Sequence, residues 1–223
     1  MPKSFLDPRV RQDMVFLRRL RQPDAQVLVD VDPNEANRIV ADKGSVIPLC
    51  ADGDEIYECM THHREMCSGS ECHHAPALNG GPLLFSDADD LTAEMRSDGE
   101  VLLRHSFQGR EIKGVETFVC YGHAPCAAAT LSGIRADQLI GHYLRGKDRV
   151  RRHAKDNNIP LKTCCLWMHI RWPNHDQRTY VFRRDSWQSE VILDFRMNWR
   201  DETFRETFTE ANWGKYWPRQ VAA

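Results

Sequence analysis

The stretch "VCYGHAPCAAATL", residues 119 to 131, constrains the fold more than any other segment. An apolar, β-prone run, "VETFVCYG", leads into it, and a run of small helix formers, "CAAATLSGI", leads out. His123 and Cys126 therefore fall at a strand-to-helix turn, at the carboxyl end of a sheet strand, where open α/β sheets build their sites. A thiol at a helix N-terminus is favoured as thiolate by the helix dipole and the free N–H groups there. With an imidazole three residues away, it either chelates a metal ion or forms a nucleophile with its base.

The rest of the chain alternates in the same manner. Residues 8 to 21 have amphipathic helix spacing, suited to packing on the chain's own domain or on a second subunit. "AQVLVDVD" reads as a short strand, "PNEANRIVADKG" as a helix ended by Gly44, and "SVIPLC" as a short strand stopping at Cys50. Residues 53–82, dense in Gly, Cys and His, read as a loop or insertion with at most one helical turn. "PLLFSD" is expected as a strand, residues 87–114 as mainly helix and residues 136–158 as a charged helix. "IPLKTCCLWMHIRW" and "TYVFRRD" are expected to form a hairpin around a polar turn. This order predicts one α/β domain over 1–223, with a mostly parallel central sheet flanked by helices and an antiparallel edge hairpin. Residues 1–25 form an N-terminal helical arm, and 186–223 an aromatic extension suited to covering the sheet or a partner subunit.

Of the 223 residues, 41% are hydrophobic and 28% charged, with a formal net charge of -2. That balance does not favour nucleic acid or an anionic membrane as partner. The first twenty residues carry several basic side chains without a continuous apolar run, which predicts neither a secretory signal nor an anchor and places the protein in the cytoplasm. Eight cysteines are present, and clustering of Cys59, Cys67 and Cys72 favours metal or reactive thiol over disulfide. Cys120, Cys164 and Cys165, inside apolar strands, read as small buried hydrophobes. His105, His142, His153 and His175 sit in charged surroundings and are expected to face solvent, whereas His169 faces either the site or the core.

A third metal ligand is available at Cys50, at the end of "SVIPLC" and followed by Ala51 and Asp52. A Cys-x-Asp at one strand end and a distant His-x-x-Cys at a strand-to-helix turn resemble the β-class carbonic anhydrases, over about residues 35 to 183. The resemblance implies that Cys50, His123 and Cys126 bind Zn²⁺. It further implies reversible hydration of carbon dioxide to bicarbonate by zinc-bound hydroxide, with Asp52 as the catalytic aspartate orienting that hydroxide. A homodimer or higher homo-oligomer, with the N-terminal helix reaching across, is implied as well.

The sequence departs from that pattern in two places. The family follows Cys-x-Asp with Ser-Arg, and the arginine restrains the aspartate; here Gly53 and Asp54 follow. An unrestrained carboxylate is attracted to a cation, so Asp52 becomes a possible fourth ligand that closes the site, unless Arg64, Arg104 or Arg171 replaces the missing partner. Residues 53–82 also hold a possible second metal set, Cys59, Cys67, Cys72 and His73. Three functions follow: a carbonic anhydrase-like zinc hydro-lyase, a zinc-binding protein of the same fold without hydration activity, and a hydrolase of carbonyl sulfide or carbon disulfide.

Overall fold

A computed structural model describes residues 7–30, 39–69, 72–173 and 176–208. Helix α1 (Pro8–Leu20) begins where Asp7 accepts a hydrogen bond from the Arg9 amide and Pro8 presets the first turn. Its apolar face, Val10, Met14, Phe16, Leu17 and Leu20, is buried. Here it packs on its own chain: Phe16 stacks on Phe195 with ring centroids 5.4 Å apart and lies 5.2 Å from Trp199. The aromatic extension thus covers α1, while Trp213, Tyr216 and Trp217 lie outside the described residues.

Strands β1 (Leu28–Asp30), β2 (Ile39–Ala41), β3 (Ser45–Val46) and β4 (Leu49–Cys50) follow. Residues 39–41 of the helix expected over 33–44 are strand instead, with β-branched Ile39 and Val40 favouring extension; 33–38 lie outside the described residues. The expected strand over "SVIPLC" is split into β3 and β4 around Pro48, which has no N–H to give to a ladder. The segment read as a loop is mainly helix α2 (Gly53–Met66). Its Ile56, Cys59, Met60, His63 and Met66 recur at helical spacing, and counting Cys and His as chemistry rather than as apolar surface hides that stripe. Short strands β5 (Cys67–Gly69), β6 (His73–His74) and β7 (Ala77–Leu78) complete the segment.

"PLLFSD" is not a strand but part of a tight 3-10 turn, Gly81–Phe85, all of it buried. Left-handed Gly80 and Gly81 and the ring of Pro82 impose this curvature, and two glycines on neighbouring helices leave room for it. Helix α3 (Ala93–Lys113) is capped by the Thr92 hydroxyl and ended by left-handed Gly114. Strand β8 (Thr117–Ala124), buried throughout, leads into helix α4 (Ala127–Leu131), and the long helix α5 (Ala136–Asp156) follows. Strands β9 (Thr163–Arg171) and β10 (Gln177–Phe182) make the expected antiparallel hairpin, followed by helices α6 (Arg184–Trp187), α7 (Glu190–Trp199) and α8 (Glu202–Thr207).

Among the described residues the main sheet has the order β1-β10-β9-β8-β3-β6. Strands β9, β8, β3 and β6 are parallel, and β10 and β1 add the antiparallel edge. The molecule is therefore α/β, with a mostly parallel central sheet flanked by helices. No helix among the described residues is long and apolar enough to cross a membrane. His142, expected to face solvent, is buried on α5, its Nδ1 3.0 Å from the Ser86 hydroxyl.

Candidate metal centre

Cys50 ends β4, His123 lies near the end of β8, and Cys126 is the N-cap residue of α4. The fold brings these three together: one donor atom from each lies within 4.8 Å of the other two, and all three residues are buried. Strand β8 runs between β3 and β9, so His123 emerges from the centre of the sheet. The Tyr143 hydroxyl of α5 holds this strand end, donating to the His123 carbonyl at 3.1 Å and accepting from the His123 amide at 3.2 Å. Gly122 is required for that approach, because a Cβ there would stand 2.7 Å from the Tyr143 ring.

The electrostatics of the cluster favour a bound cation. A hydrogen bond from Cys126 pulls the Cys50 thiol well down to about 4 against the opposing effect of burial, and His123 and the Gly80 amide add to the pull. The Gly80 N–H donates to the Cys50 sulfur at 3.1 Å. Cys126 is raised in turn by the hydrogen bond it gives to Cys50 and by burial, although the Ala128 and Ala129 amides act the other way. Burial alone would lower the His123 imidazole, but the Cys50 sulfur beside it raises it overall. Both ring nitrogens of His123 are buried, and among the described residues no nitrogen or oxygen hydrogen-bonds to them. Two sulfurs and an orphaned imidazole, out of water, are the donor set that a thiolate-tolerant divalent ion takes, so these residues fit a metal ion.

Asp52 lies beside this group, as expected. A second set of donors, Asp52, Glu55 and His123, also falls within 4.8 Å of one another. The sequence reading missed Glu55. An Asp-x-x-Glu at a helix start reads as a capping box, in which the glutamate reaches back to the backbone. The structure instead turns Glu55 inward to 1% exposure, with its carboxylate 3.2 Å from His169 Nε2 and 3.4 Å from Arg171 Nε. His169 pairs in register with His123 across β8 and β9, which settles that it faces the site.

Of the three arginines considered for the missing partner, only Arg171 reaches this region. Arg64 lines a separate cavity with Tyr57, Cys67 and His73, and Arg104 lines another with Phe107 and His153. Arg171 and Asp52 share the wall of a cavity of about 330 Å³ whose other sides are Asp7, Val10, Pro125, Ala127, Thr130 and Leu131.

The possible second metal set is not assembled among the described residues. Cys59 packs in a core of Ile47, Leu49, Met66, Val119, Tyr121 and Trp167, whereas Cys72 is exposed. Cys67 approaches His63 Nδ1 at 3.6 Å, and burial pushes its thiol up to about 12. His73 Nδ1 lies 2.8 Å from the Ser45 hydroxyl, which also bonds His63 Nε2 at 2.7 Å. These imidazoles fasten α2 and β6 to the sheet. Comparison with protein-family models, curated proteins and solved structures finds no match for this chain.

Proposed function

We propose that the chain is a zinc-dependent, carbonic anhydrase-like enzyme that hydrates carbon dioxide reversibly to bicarbonate. The observation that carries this reading is the place of Arg171: it stands in the same cavity wall as Asp52, whose carboxylate falls within 4.8 Å of a His123 ring nitrogen. Cys50, His123 and Cys126 would hold a zinc ion, which would supply Lewis acidity and a lowered pKa, towards about 7, for water at its open position. Asp52 offers a hydrogen-bond acceptor at the cavity, and the nearby guanidinium draws its carboxylate away from the metal position. Val10, Pro125, Ala127 and Leu131 give the cavity apolar walls suited to a small uncharged substrate. A homodimer or larger assembly belongs to the same proposal.

A second reading has its own support in the grouping of Asp52, Glu55 and His123. A carboxylate that completes four-coordination closes the site and leaves a structural or regulatory metal protein. Metal analysis and stopped-flow hydration of carbon dioxide decide between the two. On the first reading, purified protein carries one zinc per chain, lost in Cys126→Ser, and hydrates carbon dioxide roughly 100-fold or more faster than Cys50→Ser. Stoichiometric zinc with hydration no faster than that variant selects the closed site. Activity confined to carbonyl sulfide or carbon disulfide reassigns the substrate, and a folded protein that binds no zinc rejects all of these readings.

A further inference from the structure

The geometry points to Tyr143 as a positioning residue of the metal centre: its hydroxyl fixes the backbone of His123, and with it the direction of the imidazole, before any ion is bound. This rests on the metal reading above but not on the substrate or on any hydration activity. Tyr143 is fully buried on α5. Its hydroxyl grips both peptide groups that flank one Cα, accepting from the His123 amide at 3.2 Å and donating to the His123 carbonyl at 3.1 Å. The angle φ orients the first of those groups and ψ the second, so a single atom bonded to both holds both angles. On one side of β8 the ladder to β9 runs as far as Ala124. On the other side β3 pairs with β8 at Phe118, well before His123, and the phenol stands where a ladder partner would.

Two positions of the chain are committed to this contact. A Cβ on Gly122 would stand 2.7 Å from the Tyr143 ring, so a larger residue there displaces the ring and its hydroxyl. Phenylalanine at 143 would fill the same space but leave a buried N–H and a buried C=O without partners. The hydroxyl, rather than the ring, is what this strand end needs. A swing of roughly 10° at the His123 backbone would carry a ring nitrogen by on the order of 0.5–1 Å, about the tolerance of a preorganised site. The two sulfurs are placed by other means: Cys50 ends β4 and accepts from the Gly80 amide, and Cys126 stands at the start of α4. Loss of the Tyr143 hydroxyl therefore acts on the imidazole donor and leaves the thiols in place.

The test uses the full chain loaded with Co²⁺, whose ligand-field bands report coordination geometry and whose sulfur-to-cobalt charge-transfer band reports the thiolates. Tyr143→Phe is expected to bind Co²⁺ roughly tenfold or more less tightly and to alter the ligand-field bands, with the charge-transfer band retained. Ile192→Ala, in the core on α7, is the structural control: it is expected to lower the urea midpoint and to leave the cobalt affinity and spectrum of the folded protein unchanged. Amide hydrogen exchange of the metal-free wild type needs no variant, and decides the matter should Tyr143→Phe fail to fold. There the His123 amide is expected to exchange roughly 100-fold or more slower than an unstructured amide. Free exchange of that amide in folded protein overturns this proposal and leaves the metal reading intact. So does equal cobalt affinity and spectrum in wild type and folded Tyr143→Phe, or an equal loss in Ile192→Ala. Absence of cobalt uptake by the folded wild type removes both.

Discussion

Asp13 shows how a single side chain here trades local fit against charge. It lies on α1, and its carboxylate accepts a hydrogen bond from the Ala136 amide at 2.9 Å, at the first turn of α5. Burial nevertheless raises it to about 7, with Asp137 adding to the effect and the Ala136 amide opposing it. A carboxyl whose folded pKa lies above its unfolded value loses stability as pH rises, here from about 4 to about 7. Asp13→Asn keeps the acceptor and drops the charge. At about 1.4 kcal/mol per unit, reduced for the partial exposure of the side chain, it is expected to stabilise the protein by on the order of 1–2 kcal/mol at pH 8. Urea titrations at pH 8 and pH 4 check this, because the advantage must vanish at the lower pH. At this same scale Cys50, His123 and Cys126 were legible in the sequence, since each falls at a strand end or strand-to-helix turn, where open α/β sheets build their sites. Glu55 was not, because its spacing from Asp52 matches an ordinary helix start and only the packed structure shows where its carboxylate turns.

The turn Gly81–Phe85 sits between α3 and α5, and each helix opposes it with a glycine. A Cβ on Gly99 would meet the Leu84 carbonyl oxygen at 2.0 Å, and one on Gly146 would meet the Pro82 carbonyl oxygen at 2.9 Å. Backbone cannot yield as a side-chain tip does, so Gly99→Ala is expected to destabilise by about 1–3 kcal/mol. Gly141→Ala, whose Cβ would approach only the Arg145 guanidinium at 3.8 Å, is expected to gain up to about 1 kcal/mol from helix propensity. Paired denaturant melts separate the two outcomes, and equal effects would remove the packing argument. Because the Gly80 amide bonds the Cys50 sulfur, Gly99→Ala is also expected to weaken metal binding. Elements with a long, clear period, such as α3, α5, β8 and β9, could be read from sequence. The short strands β5 to β7 and the 3-10 turn could not, because two to five residues carry no period and their shape comes from the helices packed around them.

At the scale of the whole molecule, the two ends of the described chain lie together. Phe16 of α1 packs among Trp187, Phe195 and Trp199, and the same helix supplies Val10 to the cavity that Asp52 lines. Parts of the cavity rim are thus held by elements from opposite termini, which a local reading of either terminus does not reveal. The donors themselves are equally scattered. Cys50 and His123 are 73 positions apart, on β4 and β8, with α2, β5 to β7 and α3 between them in the chain. Closing a loop of that length costs entropy that no metal contact offsets until both strands have docked. On the proposed zinc site, therefore, the ion enters a chain that has already found its topology. Stopped-flow tryptophan fluorescence is expected to give refolding rates equal within about twofold with and without stoichiometric zinc, while unfolding slows by a factor that accounts for the gain in stability. Faster refolding with zinc would instead mean that the donors gather early. On that proposal the high contact order of the three donors would make the ion a determinant of how long the native state lasts rather than of how quickly it forms.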